Sequence, residues 1–168
     1  MSNTWFIGDI HAGHKNVHKF RKQFNSEEEH YQHVKDNFHK VVKKRDKVFF
    51  MGDTAFTLER LQDISTWVCG RKVLICGNHD TDSLPMKVLC EYFDEVYSLY
   101  KWHEFWLSHC PIHPEELRGK VNIHGHVHYA TLNDKRYFNT SLENTGLYPV
   151  DLNFIRSEIK LFDDKETK

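Results

Sequence analysis

Long apolar runs are missing from this 168-residue sequence. None approaches the ~20 residues that a membrane-spanning helix requires, so no membrane association is expected. Paired cysteines are missing as well. Cys69, Cys76, Cys90 and Cys110 form no C-x-x-C unit, and the chain passes from Met1-Ser2-Asn3 into an apolar run too short for the core of a secretory signal. No disulfide framework is expected, and a reducing cytoplasm is the natural compartment. Charge of one sign is missing: the formal net charge is −1, and the one tight basic run is Lys43-Lys44-Arg45. That is too little to indicate a nucleic-acid groove. It reads better as the end of a helix, where cations complement the dipole. Repeats and low-complexity segments are absent too. The length, with 39% hydrophobic residues, fits one domain able to bury a core, expected over 1–162 and followed by a solvated tail, 163–168.

Histidine is abundant, with thirteen in the chain. In "NIHGHVHYA" it recurs at 124, 126 and 128. In an extended segment alternate side chains share a face, so these three would stand together. Such a face could hold a metal, since neutral imidazole is the commonest metal ligand. The alternative is a half-exposed strand with Ile123 and Val127 inward.

Three short apolar runs, "TWFIGD", "KVFFMGD" and "KVLICGN", end in Gly8-Asp9, Gly52-Asp53 and Gly77-Asn78. Apolar throughout, they read as strands buried on both faces. Between them, "SEEEHYQHVKDNFHKVVKKR" opens with a capping box (Ser26, Glu29) and repeats Tyr31, Val34, Phe38 and Val41 at helical spacing,. "TLERLQDISTWVCG" carries Leu58, Leu61, Ile64 and Val68 and stops at Gly70,. Ligands of such α/β sheets bind beyond the carboxyl ends of the strands, where Asp9, Asp53 and Asn78 fall. A glycine before each lets the backbone turn sharply and approach a ligand. The second half reads as β structure in "EVYSLY", "EFWLSHC", "KVNIHGHVH" and "RYFNTS", with a hairpin at Trp102-His103-Glu104, and "PVDLNFIRSEIKLF" as a short strand and short helix,. Cys69, Cys76 and Cys90 read as core. A Cys110–His109 nucleophile is disfavoured because adjacent strand residues face opposite ways.

Taken in order, Asp9-x-His11, Gly52-Asp53, Gly77-Asn78-His79-Asp80, His109 and Gly125-His126-x-His128 resemble the signature of the calcineurin-like metallophosphoesterase superfamily. The first motif, "DIHAGHKN", is similar to that of its compact single-domain branch in phages and bacteria. The resemblance implies an α/β fold, a four-layer αββα sandwich with a dinuclear metal site at the strand ends. It makes Asp53 the bridge between two divalent ions, with Asp9, His11 and His128 completing one site and Asn78, His109 and His126 the other. These donors suit manganese first, or iron, zinc or nickel, better than calcium. Hydroxide between the metals would attack phosphorus in line. His79 is then the expected general acid, oriented and kept protonated by Asp80. His14, at an expected helix start with Lys15 and Asn16, is a candidate to receive a phosphate oxygen, with Asn78. His124 lies outside the motif, and His18, His30, His33, His39, His103 and His113 are expected to be solvated or locally hydrogen-bonded.

On substrate the sequence says less. "GDTAFTLER" has no arginine before Arg60, and the chain has G-N-H-D where phosphoprotein phosphatases of the superfamily have G-N-H-E. Both features argue against that activity. Cys76 stands where many relatives have a basic or polar residue. With no inserted cap, the cleft is expected to be open and shaped by short loops, "CPIHPEELRGK" among them. The expected function is a phosphodiesterase on a small or nucleotide-like phosphate ester, in the host cytoplasm if the chain is phage-encoded. The alternatives are a phosphomonoesterase (nucleotidase or phosphatase) and an inactive metal-binding or nucleic-acid-binding module. No feature sets an oligomeric state.

Overall fold

The computed structural model describes residues 2–166, with side chains described for 2–159. Four parallel strands, β1 (Thr4–Ile7), β2 (Lys47–Phe50), β3 (Arg71–Ile75) and β4 (Glu95–Tyr97), form the body of the first sheet. The second sheet takes β5 (Leu99–Trp102), β6 (Phe105–Ser108), β7 (Val121–His124) and β8 (Tyr137–Asn139) in that order. β5 and β6 form an antiparallel hairpin through His103 and Glu104, and β6, β7 and β8 are parallel. β9 (Val150–Asp151) then returns to the first sheet, antiparallel to β1. The helices are α1 (Val17–Phe20), α2 (Glu27–Val41), α3 (Leu58–Ser65), α4 (Asn78–Ser83), α5 (Met86–Tyr92) and α6 (Leu152–Glu166). The result is a mixed α/β fold with two sheets flanked by helices.

Strand alternation explains why both faces of the first sheet are apolar. Phe6, Phe49, Val73 and Ile75 point toward the second sheet and meet Phe105, Leu107 and Ile123. Ile7, Val48, Phe50 and Leu74 point the other way, against Val34 and Phe38 of α2 and Leu61 and Ile64 of α3. Ile155 of α6 joins the inter-sheet core. No helix among the described residues is long and apolar enough to cross a membrane.

Several sequence expectations need correction. α2 ends at Val41, so Lys43-Lys44-Arg45 lies in the following turn, which Asp46 organises by accepting from the amides of Asn3 and Lys43 and from Trp5 Nε1. Ser26 does cap α2, but the Glu29 carboxylate turns to the amides of Asn25, leaving the capping box half formed. α3 stops at Ser65 rather than Gly70, and its first residue Leu58 and the later Val68 are exposed while Trp67 is buried. "EVYSLY" is two strands in different sheets, broken at Ser98 where the chain crosses over. α6 is 15 residues long where a short helix is expected; Thr167 and Lys168 lie outside the described residues. Cys90 is exposed rather than core.

Candidate metal centre

β1 and β2 are paired in register, Ile7 opposite Phe50, and beyond them the two loops run on side by side. The Asp9 amide donates to the Gly52 carbonyl (3.0 Å), His11 to Asp53 (2.9 Å) and Ala12 to Thr54 (3.1 Å). This pairing brings Asp9, His11 and Asp53 to one place. All three are left-handed, with φ of 56°, 55° and 51°, a region that side-chain-bearing residues enter at a cost of about 1–3 kcal/mol. His126 and His128, with φ of 71° and 49°, are left-handed too.

The histidine-rich segment is therefore not one extended face. β7 ends at His124, which is buried, and His126 and His128 are aimed by backbone turns. Gly125 makes room: a Cβ there would lie 2.4 Å from Asp9 Oδ2. Gly52 is needed twice over, because its φ is +90° and a Cβ would lie 2.3 Å from His109 Nδ1.

Two groups of ligand atoms result, Asp9–His11–His128 and Asp53–His109–His126, each with its atoms within 4.8 Å of one another. Asp53 Oδ2 stands between them, 3.7 Å from His11 Nε2 and 3.3 Å from His109 Nε2. His109 Nε2 faces His126 Nδ1 at 3.2 Å, and His11 Nε2 is buried with no hydrogen-bond partner. Lone pairs converging in this way fit a pair of divalent cations. The outward nitrogens are held: His109 Nδ1 donates to the Met51 carbonyl (2.8 Å) and His128 Nδ1 to Glu143 (3.1 Å). Each ring is thereby oriented with Nε2 inward.

The electrostatics agree. Burial alone would raise Asp9, but hydrogen bonding to His11 and the charge of His109 hold it at about 2. Burial lowers His109, yet hydrogen bonding and charge from Asp53 outweigh it and bring it up to about 9. Burial pushes His126 down, and the Glu143 hydrogen bond raises His128.

Asn78 opens α4, is exposed, and has no side-chain hydrogen bond among the described residues. Its neighbour His79 donates its amide to Asp53 Oδ1 at 3.0 Å. The His79 ring is partly exposed, 5.1 Å from Phe56 and 6.0 Å from His11. Asp80 does not orient His79. Adjacent residues on a helix point about 100° apart, and the Asp80 carboxylate is buried under three backbone amides, those of Asp53 (2.9 Å), Thr54 (2.8 Å) and Gly77 (2.8 Å). Its pKa is raised by that burial. Asp80 therefore ties the β2 and β3 loops together beneath the site. The Asp82 carboxylate lies 4.0 Å from His79 Nδ1.

His14 lines the cavity beside the site but not at an anion-binding helix start. α1 is a single turn, and the His14 and Val17 amides are already bonded to the carbonyls of His11 and His14. Its ring packs on Phe56 at 5.0 Å, and its pKa is lowered by burial. Cys110 is exposed, and the half-buried Cys76 thiol is pushed up to about 12 by burial.

Sequence reasoning missed four residues. Arg21 is 2% exposed; it donates to the carbonyls of Asp9 (2.6 Å) and Ile10 (3.1 Å), to Glu143 (2.9 Å) and to His30 (2.7 Å). Glu143 relays this to His128. His30, expected to be solvated or locally bonded, is fully buried, and burial with the Arg21 charge brings it down to about 3. Phe56 packs against His11, His14 and His79 together. The one sequence signal for Arg21 is that nothing acidic lies from Ile10 to Ser26. Beside the first ligand group opens a cavity of about 360 Å³, lined by His11, His79 and His128 and by Val17, Phe20 and Tyr129. The "CPIHPEELRGK" loop does not line it and borders a separate groove instead.

Known proteins resemble this chain over most of its length. It is 32% identical to the gene 66 protein of Mycobacterium phage L5, over 76% of this chain and 78% of that protein. It is 29% identical to an uncharacterized protein of Methanocaldococcus jannaschii, over 92% of this chain and 90% of the other. The crystal structure of a protein of unknown function from Aquifex aeolicus superposes with a TM-score of 0.75 at 27% identity, covering 94% of this chain and 99% of that one. The profile of the family described as calcineurin-like phosphoesterase matches residues 2–167. With its paired ligand groups at the strand ends, the chain belongs to the calcineurin-like phosphoesterase family.

Proposed function

We propose that the protein hydrolyses a phosphodiester of small or nucleotide-like size, using two divalent metal ions, manganese first among the candidates. The observation that carries this reading is the position of Asp53 Oδ2 between a histidine nitrogen of each ligand group. Bound there, two cations would neutralise phosphoryl oxygens and supply an activated water. Asp9, His11 and His128 hold one side, and Asn78, His109 and His126 the other. His79 lines the cavity, which supports a role as the group that gives a proton to the leaving oxygen. His14 borders the same space.

Diester preference is supported by charge. Of the side chains lining the cavity, the one permanent cation is Arg21, and it is buried and committed to Glu143. A monoanionic diester needs less neutralisation than a dianionic monoester. All four cysteines are free thiols, which supports a reducing cytoplasm, that of the host if the chain is phage-encoded. The test is hydrolysis of bis(4-nitrophenyl) phosphate against 4-nitrophenyl phosphate with manganese, for wild type and Asp53→Asn. The diester should be the better substrate by kcat/KM, and the variant should lose both activities. A preference for the monoester would make the protein a phosphomonoesterase. No turnover of either ester with metal bound would make it a binding module.

A further inference from the structure

Large exposed aromatic rings are uncommon on a folded surface, and two of them border the cavity: Phe20, 70% exposed, and Tyr129, 66% exposed. They come from distant parts of the chain, α1 and the loop that carries His126 and His128. Neither contributes to the hydrophobic cores. Val17 is a third apolar residue of a lining that also includes His11, His79 and His128.

Polar features mark the same place. His14 Nδ1 and Glu143 Oε2 are buried without hydrogen-bond partners, and both residues line the cavity. The segment from Ile10 to Ser26 contains no acidic residue, and its Lys15, Lys19 and Lys22 are exposed without an ion pair among the described residues. The negative charge of Glu143 is balanced by Arg21 at 2.9 Å. A ligand suited to this surface is flat, aromatic, anionic and able to donate or accept hydrogen bonds.

We propose that the cavity is a nucleoside-binding subsite, in which Phe20 and Tyr129 stack on the base of a nucleotide whose phosphate lies at the ligand groups. This rests on the phosphodiesterase reading and narrows it to nucleotide esters. The volume of about 360 Å³ lies at the small end of the roughly 300–1,000 Å³ usual for ligand pockets, which favours one nucleotide unit over an extended strand. Stacking on aromatic side chains tolerates any base, since every base has a π-face. Phe20 and Tyr129 thus set substrate class without choosing a particular base.

The experiment compares thymidine 5′-(4-nitrophenyl phosphate) with methyl 4-nitrophenyl phosphate, which share a leaving group and differ in the nucleoside. With manganese present, wild type should favour the thymidine ester by at least tenfold in kcat/KM. Phe20→Ala and Tyr129→Ala should each raise KM for the thymidine ester by roughly ten- to a hundredfold, the scale of one lost stack, and by much more than for the methyl ester. Phe20→Trp should restore KM. Calorimetry with thymidine 5′-monophosphate on the manganese-loaded protein separates the two readings. Binding weakened by Phe20→Ala, with neither ester hydrolysed, supports the subsite and rejects the phosphodiesterase. Equal kcat/KM for the two esters, or equal losses on both in the variants, overturns the subsite and leaves the phosphodiesterase standing.

Discussion

Arg21 Nη2 donates to the carbonyl oxygen of Asp9 at 2.6 Å, so a buried cation from beyond the first motif holds the backbone that aims its carboxylate. The same guanidinium reaches Glu143, which orients His128. Two residues of the first ligand group therefore depend on one side chain that touches neither ligand atom. Arg21→Met should cost about 3–5 kcal/mol, the scale for leaving a buried charge unpaired, read from urea unfolding. Calorimetry should show weaker metal binding. Adding Glu143→Gln should recover part of the stability, because the unpaired charge is then gone. A single mutant as stable as wild type would refute the network.

Glu143 also sets an acid limit. Burial pushes its pKa up, but the His128 hydrogen bond and the Arg21 charge overcome this and hold it at about 2. A carboxyl depressed in the folded state stabilises above its unfolded pKa, about 4.3, and that contribution is lost as pH falls toward the folded value. The stability gap between wild type and Glu143→Gln should be full at pH 5 and shrink progressively toward pH 2. A gap independent of pH would assign the effect to packing.

His79→Ala should keep both metals and lose roughly 10²–10⁴-fold in kcat on an alkyl diester, the usual scale for an acid catalyst. The loss on an aryl diester should be far smaller, because that leaving oxygen departs as a stable anion. Equal losses would give His79 a phosphate-positioning role. Asp80→Asn should behave differently. Its amide nitrogen would face a backbone N–H, costing about 1–3 kcal/mol, and activity should fall alike on both esters because Asp53 is displaced.

Removal of metal should lower the melting temperature. Five of the ligand candidates, Asp9, His11, Asp53, His126 and His128, have positive φ, and cations that bind only this arrangement stabilise it by linkage. Scanning calorimetry before and after chelation, with metal content measured, reads the effect. An unchanged midpoint after verified removal would show that the ligands are held without metal.

Gly52→Ala should disable the Asp53–His109–His126 group. The new Cβ would meet His109 at 2.3 Å on a backbone at φ +90°, so both strain and collision act on one ligand. Stoichiometry should fall below two ions per chain. Two ions bound at wild-type affinity would refute the requirement.

The sequence by itself determined the candidate ligand residues and the strands that carry them, because that information is local. A short apolar run sets a buried strand, and a ligand motif at its end needs only its own backbone turn to be recognisable. Thus Asp9, His11 and His128 come together in one group, and Asp53, His109 and His126 in another, while Asn78, which the resemblance adds to the second, stands exposed at the start of α4. Tertiary structure decided what braces them. Arg21 and Glu143 are 122 residues apart, and no local pattern links them. Asp80 follows His79 directly yet serves the loops of β2 and β3, because a helix turns neighbouring side chains apart and burial gives the carboxylate to the nearest unpaired amides. Likewise "EVYSLY" looks continuous in apolar pattern, and only the packing of two sheets face to face requires the chain to break at Ser98 and change sheets. Residue type and spacing define what can bind. Which groups are desolvated together, and so must pair, is a property of the folded whole.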